Sequence, residues 1–293
     1  MAPFGHLLTA MITPFTSSGE VDYEQTWRLA RFLVENGSDG LVITGTTGES
    51  PTLSSEEKVA LYRTVVEAVG DKAHVIAGAG TYNTAESVEL TRRAAEVGCD
   101  GVMAVTPYYS RPPQQGLIEH FTAVADATDL PVLLYNIPGR TGRRIEIDTL
   151  ARLAEHPRIV AVKDAVGDLT FTTKTRLAVG EEFAIYSGDD INTLPMMAVG
   201  AIGIVSVAAH LAGKQIKAMV ESALKGDLAT ATRFHLALAP LADALFLEPN
   251  PMPVKGAVNA LWEPVGNPRS PLVAASAETI QMVKAALGAV QQL

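Results

Sequence analysis

The stretch Ile159-Val160-Ala161-Val162-Lys163-Asp164 is four apolar residues followed at once by a lysine and an aspartate. A run that is apolar at every position, rather than at alternate ones, reads as a strand buried on both faces, as in a parallel sheet covered by helices. The chain has nine lysines, and most of the others sit in polar or helical surroundings that account for a solvated charge. Lys163 does not. Two readings are open locally: a strand-end lysine whose stem packs while its head reaches water, or an amine desolvated enough to be neutral part of the time and hence a nucleophile toward carbonyl carbon.

Outward from this strand the same unit repeats. Apolar runs begin at Leu7, Gly40, His74, Gly101, Val132, Ile159, Phe183 and Ile202, and each is followed by a stretch of helical periodicity. Predicted helices cover 22–35, 54–69, 84–96, 116–127, 147–154, 168–178, 190–199 and 211–224. Asp22 is a candidate N-cap, Gly37 a candidate stop, and Glu56 and Glu57 place negative charge in the first turn of their helix. The helix-to-strand turns Gly37-Ser-Asp-Gly40, Gly98-Cys-Asp-Gly101 and Gly200-Ala-Ile-Gly203 resemble one another, as a repeated unit requires. Eight strand–helix units in roughly 220 residues predict a closed (β/α)8 barrel over residues 1–225. After 226 the alternation stops, and helices at 229–246, 251–262 and 277–290 predict a helical layer over 226–293. No G-x-G-x-x-G follows the first strand, which weakens a dinucleotide-binding alternative.

Composition narrows the function classes. The chain has 293 residues, 47% apolar, with a net charge of −9 and no block of like charge, so neither a nucleic acid nor an anionic membrane is an expected partner. No apolar run approaches the ~18 residues of a membrane span. A single cysteine, Cys99, excludes an internal disulfide and reads as a buried structural thiol; with no secretory pattern at the N-terminus, a reducing cytoplasm is expected. The six histidines show no metal-ligand spacing.

In such a barrel the chemistry sits where the strands end. Strand two ends in Thr44-Gly45-Thr46-Thr47-Gly48-Glu49-Ser50, whose glycines and hydroxyls suit a small anion such as a carboxylate, or else form an ordinary glycine-rich turn. It lacks the lysine that a nucleoside triphosphate would need. Tyr135 ends strand five, next to the strand of Lys163, so a Lys–Tyr proton pair is geometrically reasonable, although a buried tyrosine usually just finds a backbone partner. Arg140, five residues on, suits capture of a substrate carboxylate or a loop-bracing salt bridge. Strand four runs into Tyr108-Tyr109, strand seven into Ser187-Gly188-Asp189-Asp190, and strand eight into Ser206.

At Gly45 to Glu49, Tyr135 to Gly142, Val162-Lys163-Asp164, Ser187 to Asp190 and Glu248-Pro-Asn-Pro-Met-Pro-Val-Lys255, the sequence resembles the dihydrodipicolinate synthase family of the class I aldolase superfamily that includes N-acetylneuraminate lyase. The resemblance covers essentially the whole chain. It implies that Lys163 forms an imine with pyruvate and that the derived enamine adds to L-aspartate 4-semialdehyde. It further implies that Tyr135, Thr46 and Tyr109 relay protons, Tyr109 in a neighbouring subunit's site. Thr47, Gly188 and the Val205 backbone would then border the pyruvate site, and Arg140 would hold the semialdehyde carboxylate. No metal or organic cofactor is implied, and a homotetramer is. A pyruvate-dependent aldolase acting on 2-keto-3-deoxy sugar acids is the alternative within the superfamily. Some members of the family are inhibited by lysine at a subunit interface; Ser55, Lys58 and Tyr82 stand here where inhibited bacterial members usually carry His, His and Asn, which implies weak or absent inhibition.

Overall fold

The structure, a computed structural model, describes residues 2–291. Eight parallel strands, β1 (Leu7–Ala10), β2 (Gly40–Ile43), β3 (His74–Gly78), β4 (Gly101–Val105), β5 (Val132–Asn136), β6 (Ile159–Asp164), β7 (Ala184–Ser187) and β8 (Gly203–Ser206), follow one another around a closed barrel. Closure is made by β8 pairing with β1, Leu8 opposite Val205. The predicted (β/α)8 barrel is therefore the observed fold.

The helices between strands are α1 (Tyr23–Glu35), α2 (Ser55–Val69), α3 (Thr84–Val97), α4 (Gln114–Asp126), α5 (Pro138–Thr141), α6 (Ile147–Ala154), α7 (Leu169–Val179) and α8 (Thr193–Ala198). Their starts follow local chemistry. The Asp22 carboxylate accepts from Gln25 N–H at the head of α1, and Ser54 with Glu57 forms a reciprocal capping box on α2. Asp168 caps α7 through Thr170 and Phe171 N–H groups. After β8 come α9 (Ala209–Leu224), α10 (Leu228–Ala244), α11 (Met252–Leu261) and α12 (Ala277–Val290). These last helices bury Leu241, Val254, Val283 and Leu287 in the same apolar cluster that holds Leu29 and Leu33 of α1 and Ile216 of α9. None of the helices among the described residues is long and apolar enough to cross a membrane.

Two local expectations change. The stretch 190–199, expected as one helix, is a 3-10 turn over 190–192 followed by α8, because the Asp190 carboxylate accepts from Ser206 Oγ and from the N–H groups of Val207 and Ala208 rather than capping its own helix. The segment after Tyr135, read as loop, contains the single helical turn α5, started by Pro138 and ended by Gly142 at φ 69°.

The register decides what points where. Tyr135 of β5 lies opposite Lys163, and Lys163 lies opposite Tyr186 of β7. Ala161, two residues before Lys163, belongs with Leu133, Tyr135, Tyr186 and Val205 to the cluster inside the barrel, whereas Val162 packs outward with Leu134 and Ile185 beneath the helices. Period-two alternation thus sends Lys163 into the barrel interior at the carboxyl ends of the strands.

Candidate active site

A cavity of about 310 Å³ opens at that end of the barrel, with Thr46, Tyr108, Tyr135, Arg140 and Asn250 on its wall. Lys163 lies just beneath this wall, its Nζ 4.1 Å from the centre of the Tyr135 ring and its side chain 4% exposed. Burial pulls its pKa down to about 7; Arg140 pulls the same way and Asp190 opposes. Burial pushes Tyr135 up to about 12, against the opposing influence of Arg140 and the Thr46 hydroxyl. Near neutral pH the pair is therefore an amine that is substantially unprotonated beside a phenol that keeps its proton, a nucleophile and a proton donor in contact.

The loop after β2 is shaped by two residues with left-handed backbone, Thr44 at φ 54° and Glu49 at φ 58°. Such conformations persist in non-glycine residues only when the surroundings hold them. The Thr44 hydroxyl donates to Gly78 O. Glu49 is held from both sides, accepting 2.7 Å from Lys255 Nζ and 2.8 Å from Arg269 N–H. Between them Gly48 passes so close to Thr44 that a Cβ there would lie 3.0 Å from the Thr44 Cα, so the loop needs a residue without one. Thr47 is buried in this loop, and its Oγ1 accepts 3.0 Å from Asn250 Nδ2.

The remaining sequence-selected residues are distributed as follows. Arg140 Nη2 donates 3.4 Å to Asn250 O, and no carboxylate among the described residues lies within ion-pair distance of it, unlike Arg144 or Arg269, which are paired. Val205 is buried inside the barrel. Gly188 abuts the lysine: a Cβ there would lie 2.8 Å from the Ala165 Cβ and 3.1 Å from the Lys163 Cγ. Tyr109 stands apart, 94% exposed at φ 68° and off the cavity wall.

Gly188→Ala is accordingly expected to displace the lysine stem, to lower turnover by at least about tenfold, and to lower the melting temperature as well, since the Ala165 Cβ cannot turn away. Steady-state kinetics beside a thermal melt check it, and wild-type turnover would refute the contact.

Sequence reasoning missed Asn250, Asp190 and the Glu49–Lys255 pair. Lys255 enters the sequence reading only as the end of the Glu248 to Lys255 motif, with no role of its own, yet it is 0% exposed. The available signal was its position in α11 between Val254 and the apolar Ala257-Val258.

Comparison with known proteins agrees with this architecture. The model of the dihydrodipicolinate synthetase family matches residues 3–290. The 4-hydroxy-tetrahydrodipicolinate synthase of Moorella thermoacetica is 54% identical over 97% of this chain and 97% of its own, and that of Desulforamulus reducens 52% identical over 96% and 95%. Among solved structures, dihydrodipicolinate synthase of Cyanidioschyzon merolae with lysine bound superposes with a TM-score of 0.97 at 45% identity over all of both chains. That of Bacillus anthracis gives 0.95 at 46% over 98% and 99%. A barrel of this topology, matched by the family model and by these relatives over nearly its whole length, belongs to the dihydrodipicolinate synthetase family.

Proposed function

We propose that the chain acts as a 4-hydroxy-tetrahydrodipicolinate synthase, condensing pyruvate with L-aspartate 4-semialdehyde through an imine on Lys163. The observation that carries the reading is the buried Lys163 amine in contact with the Tyr135 ring, its pKa drawn down to about 7. The neutral amine adds to the pyruvate ketone, and the resulting carbinolamine loses water as the Tyr135 phenol donates a proton to the departing oxygen. The positive imine nitrogen acidifies the methyl group, which loses a proton to give the enamine. Its terminal carbon attacks the aldehyde carbon, and the aldehyde oxygen takes up a proton. The substrate amine then attacks the imine carbon, closing the ring and releasing Lys163.

In this scheme the Thr47 hydroxyl and the Val205 backbone flank the pyruvate carboxylate, Gly188 borders it, and Arg140 takes the carboxylate of the semialdehyde. The absence of any carboxylate partner on Arg140 among the described residues supports the last assignment. Thr46, beside Tyr135, continues the proton path. Tyr109, exposed and held in a left-handed conformation, suits a role in a neighbouring copy's site, within a homotetramer whose smallest active unit is a dimer.

Incubation with pyruvate, reduction with borohydride and mass mapping test the scheme: a reduced pyruvate adduct on Lys163 is expected, and its absence removes the whole imine class. Parallel assays with aspartate semialdehyde and with 2-keto-3-deoxy sugar acids separate the synthase from the related aldolases.

Lysine is expected to inhibit weakly or not at all. Lys58, one of the three residues that stand where inhibited members carry other side chains, is buried on α2; burial lowers its pKa, Glu86 opposes that lowering, and its ammonium would meet an incoming ammonium unfavourably. A sub-millimolar inhibition constant in steady-state assays would contradict this.

A further inference from the structure

Asn250 is a costly residue to keep. Its side chain is buried, its Oδ1 has no hydrogen-bond partner among the described residues, and its one side-chain hydrogen bond is the donation from Nδ2 to Thr47 Oγ1 at 3.0 Å. A buried amide oxygen left without a partner detracts from stability, so the folded state alone does not account for an asparagine here.

The hydrogen bond has a direction, and the direction has a chemical effect. A threonine hydroxyl carries one proton and two lone pairs. An amide N–H fills one lone pair and cannot accept, so the hydroxyl proton must point elsewhere. Thr47 donates to no group among the described residues, which leaves that proton available to a ligand. Had the partner been a carboxylate or carbonyl, the proton would have turned toward it and only lone pairs would have faced an incoming anion.

We propose that Asn250 is a positioning residue for the keto-acid carboxylate: its amide holds the Thr47 hydroxyl with the proton outward, ready to donate to the bound anion. The proposal rests on the imine reading above, in which Thr47 borders the carboxylate. The same segment grips the loop twice. Asn250 lies two residues before the start of α11, and Lys255 within α11 holds Glu49 two residues beyond Thr47. The Asn250 backbone oxygen also accepts from Arg140, so one residue touches both groups assigned to substrate carboxylates. The segment after α10 therefore helps build the anion site, although it lies outside the strand–helix repeat.

The test is the pyruvate dependence of borohydride trapping on Lys163, with kcat and KM measured beside it. In Asn250→Leu, of similar size but without a donor, Thr47 keeps its proton but loses the group that fixes its direction, and the half-saturating pyruvate concentration is expected to rise about threefold to tenfold, the loss associated with an ordinary neutral hydrogen bond. The maximal trapping rate should change less than about threefold, and the melting temperature should change little, since an unpartnered buried oxygen is removed together with the hydrogen bond to Thr47. Asn250→Asp, which can accept from Thr47 and so turn its proton away, should weaken pyruvate at least as much, and it stands in if the leucine variant fails to fold. In a Thr47→Val background Asn250→Leu should shift half-saturation less than about twofold. Unchanged half-saturation in Asn250→Leu, or an undiminished shift in the Thr47→Val background, overturns the proposal. A wild-type protein that forms no adduct at all defeats the imine reading instead.

Discussion

Lys163→Met is expected to form no pyruvate adduct, to lose at least about a thousandfold in turnover, and to be more stable than the wild type. The first two follow because, among the described residues, no other amine lies over the Tyr135 ring to replace the nucleophile. The third follows from burial. A fall from the ordinary 10.5 to about 7 makes the charged lysine about 5 kcal/mol costlier inside the protein than in water. Below about 7 both the folded and unfolded chains carry the proton, and the cost is fully present. Between about 7 and 10.5 only the unfolded chain carries it, so the stability of the wild type rises with pH and the advantage of Lys163→Met shrinks. Denaturant melts of both proteins from pH 6 to 10 measure that convergence. The same amine sets a kinetic signature: the rate of imine formation should climb with pH and level off above about 7, where the free amine dominates. A midpoint near 10 would mean that the lysine is solvated and unactivated, and the stability gain would vanish with it.

Why the lysine could be found in the sequence, while its supports could not, is a matter of range. The strand–helix unit is built from neighbours: apolar runs such as Val132 to Leu134, caps such as Asp22 and Ser54, and turns opened by Gly37 and Gly98 all act within a few residues. Counting eight units closes the barrel, and the alternation from Ala161 to Lys163 then carries the side chain inward beside Tyr135. Contacts that join distant parts of the chain leave no such trace. Asn250 meets Thr47 across 203 residues, and Lys255 meets Glu49 across 206. Neither has a periodic or spacing signature, and a lysine in α11 looks like any helical surface lysine until the packing of that helix is known. Asp190 shows the same limit: the local pattern makes it the first residue of a helix over 190–199, but its carboxylate is drawn to Ser206 and the N–H groups after β8. Tyr109 is easily noticed in a paired tyrosine motif, yet its exposed position is a property of a turn that no local pattern specifies.

Lys255→Met is expected to destabilise the protein by ~3–5 kcal/mol, the usual consequence of stripping one partner from a buried ion pair. Both side chains of the Lys255–Glu49 pair are fully buried, and burial, with a smaller pull from Arg269, draws the Lys255 pKa down to about 8 against the opposing influence of Glu49. Without the ammonium, the buried Glu49 carboxylate keeps only the Arg269 N–H as a hydrogen-bond donor among the described residues and loses its ion-pair partner. Adding Glu49→Gln removes that charge while leaving a carbonyl for Arg269, so the double variant should recover most of the lost stability. Pyruvate affinity should not recover with it. Glu49 occupies a left-handed conformation two residues from Thr47, and the ionic contact to α11 is one of the two contacts that hold it there, the other being the Arg269 N–H. A glutamine facing a methionine supplies no such tether, so the loop regains its fold energy but not its fixed geometry. Melting curves alongside pyruvate trapping separate the two quantities. A single Lys255→Met variant within about 1 kcal/mol of the wild type would show that the pair is dispensable to folding, and a double variant with wild-type pyruvate half-saturation would show that it is dispensable to the site.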